Sequence, residues 1–152
     1  MSLEKKVLQS IGLKVLSQDH LVVSSERLDR LYKSNFGISL SVVFQLWNIL
    51  VHKALVPDKG RPVHLYWALS YLKLYETETV FSVMFSVSEK TFKKWVLKFV
   101  VAISEIDNVR NTRTCTSTCT NLYGFFVCTV CTVITKIFHS NLNADSLGKS
   151  FY

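Results

Sequence analysis

A helix-capping serine followed by a dense group of lysines marks residues 88–98. Ser88 can cap a helix by accepting a hydrogen bond from a backbone N–H of the first turn, and four lysines follow it. Ammonium groups attract phosphates, and the first residues of a recognition helix contact base edges in the major groove. The carboxylate of Glu89, for example, can accept from the amino group of cytosine. The candidate DNA-contacting residues are therefore Ser88, Glu89, Lys90, Thr91, Lys93, Lys94 and Lys98. Further candidates for backbone contact are Arg61, Arg110 and Arg113.

Four cysteines form the second group with chemical potential: Cys115, Cys119, Cys128 and Cys131. Four thiolates can bind tetrahedral zinc. The two pairs are closer together than in usual zinc sites, and the surrounding sequence is strongly apolar. Reduced, half-buried thiols are therefore favoured over a zinc site, and no cofactor is predicted.

Other catalytic patterns are missing from the sequence. It contains no G-x-S-x-G, no G-x-x-x-x-G-K-[ST] and no G-x-G-x-x-G, so neither a nucleophile elbow nor a nucleotide site is supported. The histidines are scattered, at His20, His52, His64 and His139, and packed or solvated roles are expected for them.

Helices are the elements that must position these residues. Apolar residues recur at helical spacing over 3–16, over "ISLSVVFQLWNILVHKAL" and over "PVHLYWALSYLKLY". Gly37 is the predicted stop of a short helix that starts near Ser24, and "VPDKGRP" is the clearest loop. A short helix opening at Thr77 or Thr79 is followed by a long one from Ser88 to about Ile106. The fold class predicted is all-α, a small helical bundle containing a helix-turn-helix, with an irregular tail.

The helix-turn-helix prediction concerns the last two of these helices, joined at "SVS". Val87 is expected to fill the angle between them, and Phe92 and Trp95 to hold the last helix against the one that begins at Pro62. The lysines would then face outward, as a recognition helix requires. The hypothesis requires a break within 77–106 and ammonium groups that do not lie against protein carboxylates.

Composition agrees with a folded, basic chain. Of its 152 residues 49% are hydrophobic and 19% charged, and the formal net charge is +7 with a pI of about 9.3. The composition excludes a disordered chain. The charge suits polyanionic partners, and taken alone it suits equally a mildly basic protein without such a partner. The charge is spread along the chain, so the local cluster after Ser88 is the more informative feature.

The order of several motifs resembles a known family. These are Phe36-Gly37, His64-Leu65, Trp67-Ala68-Leu69, Leu72-Lys73, Thr91-Phe92 and Lys94-Trp95. Over about 36–107 the chain resembles the N-terminal region of eukaryotic transposase-like proteins of the DDE superfamily endonuclease group, relatives of the harbinger and bacterial insertion-sequence transposases. The resemblance implies a DNA-binding role for the helix that starts at Ser88.

The chain departs from that family where a nuclease domain should follow. Such a domain holds two divalent metal ions with three carboxylates, but only one acidic residue, Asp145, follows Asp107. We therefore interpret the chain as a recognition region without its nuclease, and no catalytic activity is predicted for it as it stands.

Three segments follow from these observations: an N-terminal helical arm (1–35), the helix-turn-helix region (36–107) and a Thr- and Cys-rich tail (108–152). The apolar run 122–134 is shorter than the roughly 20 residues that a membrane span needs, so no membrane partner is predicted. The expected partner is double-stranded DNA, and the expected location is the nucleus, or otherwise the cytoplasm. The alternative is a helical protein-interaction module whose apolar tail contacts a membrane or a protein partner.

Overall fold

The computed structural model describes residues 4–18, 24–74 and 76–108. These residues form six α-helices and no strand, which confirms the predicted all-α fold class. The tail over 109–152, with its four cysteines, Arg110 and Arg113, lies outside the described residues. The helices are α1 (Lys5–Val15), α2 (Ser25–Phe36), α3 (Leu40–His52), α4 (Pro62–Leu74), α5 (Glu78–Met84) and α6 (Glu89–Asn108).

Local signals in the sequence explain where most helices begin and end. Gly37 ends α2 with φ of 77°, a left-handed conformation that costs a glycine little. The side chains of Ser39 and Thr77 cap α3 and α5 by accepting from the N–H groups of Val42 and Val80. Pro62 opens α4, where its missing N–H removes no helical hydrogen bond.

Helix α4 lies at the centre of the bundle. It packs against α1, α2 and, most extensively, α6. Seven consecutive residues, from His64 to Ser70, are buried, although a helix on a protein surface buries only one stripe. The apolar stripe predicted for this helix therefore captured only part of its buried surface, because neighbours cover α4 on several sides.

The N-terminal helices share the core of the rest of the bundle. Leu8 and Tyr32 are fully buried, and Tyr66 of α4 donates a hydrogen bond to the Leu8 carbonyl at 2.9 Å. Tyr32 donates to the Gln9 carbonyl at 3.2 Å. Burial raises the pKa of both tyrosines, so both hydroxyls stay protonated and keep these bonds.

Gly12 makes this close approach possible. A Cβ atom at this position would overlap the Tyr32 hydroxyl group and lie 3.1 Å from Cζ of Tyr66. Glycine weakens an isolated helix, but here it lets α1 lie directly on two tyrosine rings. The residue type that is unfavourable for an isolated helix is therefore the one that allows α1 to dock here.

Candidate nucleic-acid interface

A four-residue joint separates α5 from α6. Ser86 has φ of 53°, and its N–H donates to the carbonyl of Val83. The N–H of Val87 donates to the carbonyl of Ser82 at 2.9 Å. This pair of hydrogen bonds around a left-handed residue is a Schellman motif, which ends a helix abruptly. The break that the helix-turn-helix hypothesis requires within 77–106 is therefore present, and Val87 within the joint is partly buried against the core.

Aromatic side chains hold α6 against its neighbours. Phe92 is fully buried. Its ring centroid lies 5.1 Å from that of Phe81 and 5.9 Å from that of Phe85, both of which belong to the α5 side of the joint. It also lies 6.2 Å from the ring of Trp67 on α4. Contacts of this kind add to the hydrophobic effect because ring edges and faces attract each other, so the position of α6 is determined from two directions.

The side of α6 that points away from the core is the predicted basic surface. The residues predicted to contact DNA from this helix and its cap are all exposed: Ser88, Glu89, Lys90, Thr91, Lys93, Lys94 and Lys98. Their exposure follows from the burial of Phe92, Val96, Phe99, Val100 and Ile103 on the opposite side.

One of the lysines is paired with a carboxylate. The ammonium group of Lys93 lies 3.1 Å from a carboxylate oxygen of Glu78, which joins the two helices across the joint. Among the residues that the structure describes, no ion pair links Lys90, Lys94 or Lys98 to a carboxylate. The charge of Lys93 is thus partly offset, and the other three lysines carry the positive potential of this surface.

Ser88 and Thr91 are engaged with each other at the start of α6. Ser88 Oγ accepts from the Thr91 N–H at 3.3 Å, and its hydroxyl donates to Thr91 Oγ1 at 2.8 Å. Ser88 therefore caps the helix as predicted. The hydroxyl proton of Ser88 therefore already has an acceptor within the protein. In the first turn of α6, Glu89 and Lys90 are the side chains whose hydrogen-bonding groups have no partner among the described residues.

A stacked pair of rings connects the start of α4 to the basic side of α6. The imidazole of His64 lies parallel to the partly buried Trp95, with ring centroids 4.0 Å apart. The backbone N–H of exposed Arg61 donates to His64 Nδ1 at 3.1 Å. Burial, followed by the charge of Arg61, lowers the pKa of His64 to about 4, so the imidazole is neutral near pH 7. Arg61, predicted from sequence as a secondary contact, is thereby linked to the lysine-bearing helix.

Two lysines rest on the same tryptophan. The ammonium groups of Lys94 and Lys98 lie 5.7 and 5.3 Å from the centre of the Trp95 ring, within range of a cation–π attraction. The sequence predicts for Trp95 only a packing role against α4, and for His64 only a packed or solvated role. The sequence does contain one signal for this contact: Lys98 follows Trp95 by three residues, and residues three apart are neighbours on the surface of a helix.

Metal and membrane sites find no support in the described part of the chain. Within it, no three His, Cys, Asp or Glu side chains are grouped so that they could hold a metal ion. No single described helix is long and apolar enough to cross a membrane, and α2 and α3 meet those criteria only as a pair bent by 59°.

Comparison with protein-family models, with curated proteins and with solved structures found no match for this chain.

Proposed function

We propose that this protein binds double-stranded DNA through the outer surface of α6, as a recognition module of transposase type without a nuclease. The observation that carries the proposal is the row of exposed Lys90, Lys94 and Lys98 on a helix that follows a tight, capped joint. The motif resemblance over 36–107 adds the transposase type, and a nuclear location belongs to the same proposal.

The spacing of the row suits a phosphate backbone. Lysines four residues apart lie on one side of a helix, and with a rise of 1.5 Å per residue the row extends over about 12 Å. Each DNA strand carries a phosphate about every 3.4 Å of helix axis. Three ammonium groups over that length can each reach a different phosphate, and Arg61 extends the cationic surface at the α4 side.

Sequence discrimination would come from the first turn of α6. The carboxylate of Glu89 is exposed and can accept from a cytosine amino group in the major groove. Ser88 and Thr91 would act mainly through the geometry of the cap that they share. In this arrangement the lysines determine affinity and Glu89 contributes base preference.

The proposal is tested by titrating the full-length protein into a fluorescent random-sequence duplex and following anisotropy at increasing salt. We expect affinity to fall steeply with salt. Lys94→Glu/Lys98→Glu should abolish detectable binding, and Lys94→Gln/Lys98→Gln should reduce the salt slope by about 2, since each lost phosphate contact removes about 0.9.

A charge-matched control is available on α1. Lys6→Glu/Lys14→Glu makes the same change in net charge at exposed positions of a helix that packs against α3 and α4. It should retain most of the affinity. An equal loss in both double variants would mean that net charge alone, and not the α6 surface, causes binding.

The alternative function is a protein-interaction module, which one observation favours. Three apolar side chains of α5 are unusually exposed: Val80 (47%), Val83 (76%) and Met84 (49%). Contiguous exposed apolar side chains are typical of protein contacts. Absence of duplex binding at low salt, together with concentration-dependent association that Val83→Lys abolishes, would favour this alternative.

A further inference from the structure

Trp95 occupies a distinctive place on α6. Phe92 and Phe99, on the same helix, are fully buried and make the core contacts. Trp95 is only partly buried, with its ring stacked on His64 and two ammonium groups within 6 Å of its centre. A tryptophan is the aromatic residue that attracts cations best. The Trp95 ring therefore lies where it can hold the side chains of Lys94 and Lys98, in addition to any packing role.

The Trp95 ring is itself held in place by a residue of α4. The parallel stack with His64 has an interplanar angle of 9°, and the ring of His64 is oriented by the hydrogen bond from the Arg61 N–H. Among the described residues, the charged groups that face this stack are Arg61 from the α4 side and Lys94 and Lys98 from α6. The ring of Trp95 thus has a fixed partner in His64 and two lysine ammonium groups within 6 Å of its centre.

A lysine side chain loses considerable rotamer freedom when it binds a phosphate. A side chain that is already confined before binding loses less, so the complex is more stable. Cation–π contact with a fixed ring provides such confinement, and it leaves the ammonium hydrogens available to an anion.

We infer that Trp95 is a positioning residue that pre-orders Lys94 and Lys98 for contact with the phosphate backbone of a DNA duplex. The inference rests on the proposed function of α6. It goes further because it assigns a measurable share of the DNA affinity to a residue that need not touch DNA. Lys90, which lacks a described contact with the ring, is the internal reference.

The test compares wild type with Trp95→Leu and Trp95→Phe in two measurements on the full-length protein. The first is proton NMR without DNA. The ε-methylene protons of Lys94 and Lys98 should be shifted upfield by the ring in wild type, less in Trp95→Phe, and not in Trp95→Leu, while those of Lys90 stay at ordinary values. The second is anisotropy with the random-sequence duplex, where Trp95→Leu should weaken binding about 3- to 10-fold and Trp95→Phe should restore part of it.

The outcomes separate this inference from the proposed function. If wild type binds the duplex and Trp95→Leu, folded by circular dichroism, binds equally well, the positioning role is wrong and the DNA-binding proposal stands. Ordinary ε-methylene shifts in wild type also overturn the positioning role. If wild type does not bind the duplex at low salt, both proposals fail, even where the upfield shifts are observed. If Trp95→Leu is unfolded, Trp95→Phe takes its place in the comparison. The inference is then overturned if Trp95→Phe shows reduced upfield shifts but binds the duplex as tightly as wild type.

Discussion

Acidification is expected to destabilise this fold through His64. The side chain is 8% exposed and packs against the rings of Trp95 and Trp67. Burial, and then the positive charge of Arg61, lowers the pKa of His64 from 6.5 to about 4. Protonation would place a charge among aromatic rings and would remove the lone pair of Nδ1 that accepts from the Arg61 N–H.

The sign and size of the effect follow from the two pKa values. Between pH 6.5 and about 4 the unfolded chain binds a proton at this residue that the folded chain does not, so the free energy of unfolding falls as the pH is lowered. The stabilisation is fully present above pH 6.5 and is lost progressively down to about pH 4. The difference between the pKa values corresponds to about 3 kcal/mol, a large part of the 5–15 kcal/mol that is typical of native proteins.

Urea unfolding followed by circular dichroism at pH 7, 6, 5 and 4 measures this effect, with His64→Phe as the matched variant. The phenyl ring can stack on Trp95 but cannot bind a proton. Contributions of carboxylates are common to both proteins and cancel in the comparison. We expect wild type to lose about 3 kcal/mol more than the variant between pH 7 and pH 4, which lowers its urea midpoint by about 1–3 M relative to the variant. Parallel pH dependences of the two proteins would refute the reasoning, as would an NMR titration of the His64 imidazole with a midpoint near pH 6.5.

Three other substitutions test the packing. Gly12→Ala should lower the free energy of unfolding by about 1–3 kcal/mol in urea, because the new Cβ would overlap Tyr32, and adding Tyr32→Phe should recover part of the loss. Ala54→Gly should raise the Tm by up to about 4 °C in a thermal scan, since Ala54 has φ of 53° and glycine relieves up to about 1 kcal/mol of that cost. Phe92→Ala should cost about 3–5 kcal/mol, and hydrogen exchange should show that α5 loses protection before α1 does.

Controls for these substitutions lie at exposed positions of the same helices. Ser10→Ala on α1 should be nearly neutral. Ser41→Gly in the first turn of α3 should lower the Tm, because glycine weakens a helix by about 0.5–1 kcal/mol and because the substitution removes the hydroxyl that accepts from Lys5. A Gly12→Ala protein as stable as wild type, or an Ala54→Gly protein with a lower Tm, would contradict the packing described for α1 and the strain described after α3. Equal loss of protection in α1 and α5 in Phe92→Ala would contradict the local role of the aromatic contacts.

Much of the helical layout was predictable because its signals are local. Gly37, Pro62 and Ser88 mark helix ends through their own backbone and side-chain chemistry, and each acts within one turn. The inward and outward sides of α6 were predictable for a related reason, since a 3.6-residue period assigns each side chain to a side without knowledge of the partner. The segment "ISLSVVFQLWNILVHKAL", predicted as a helix from its apolar spacing, includes α3, where Trp47 is 4% exposed and stacked on Phe99.

Other features depend on residues distant in the chain and were not predictable from local patterns. The positive φ values of Ala54 and Ser86 occur at residue types that seldom adopt them, so the sequence carried no glycine to mark those helix ends. The pairing of Lys93 with Glu78 could not be inferred from a lysine on an exposed side, because it depends on how α5 and α6 meet.

The sequence by itself determined the all-α class, the positions of the described helices and the basic outer side of the helix that starts at Glu89, because these follow from capping chemistry and helical period. Only the tertiary structure decided that α4 is buried on several sides, that Gly12 is needed for close packing, and that His64, Trp95 and Lys98 form one stack. The physical reason is that such contacts depend on the relative placement of whole helices, which results from the sum of many weak packing interactions and from no single local signal.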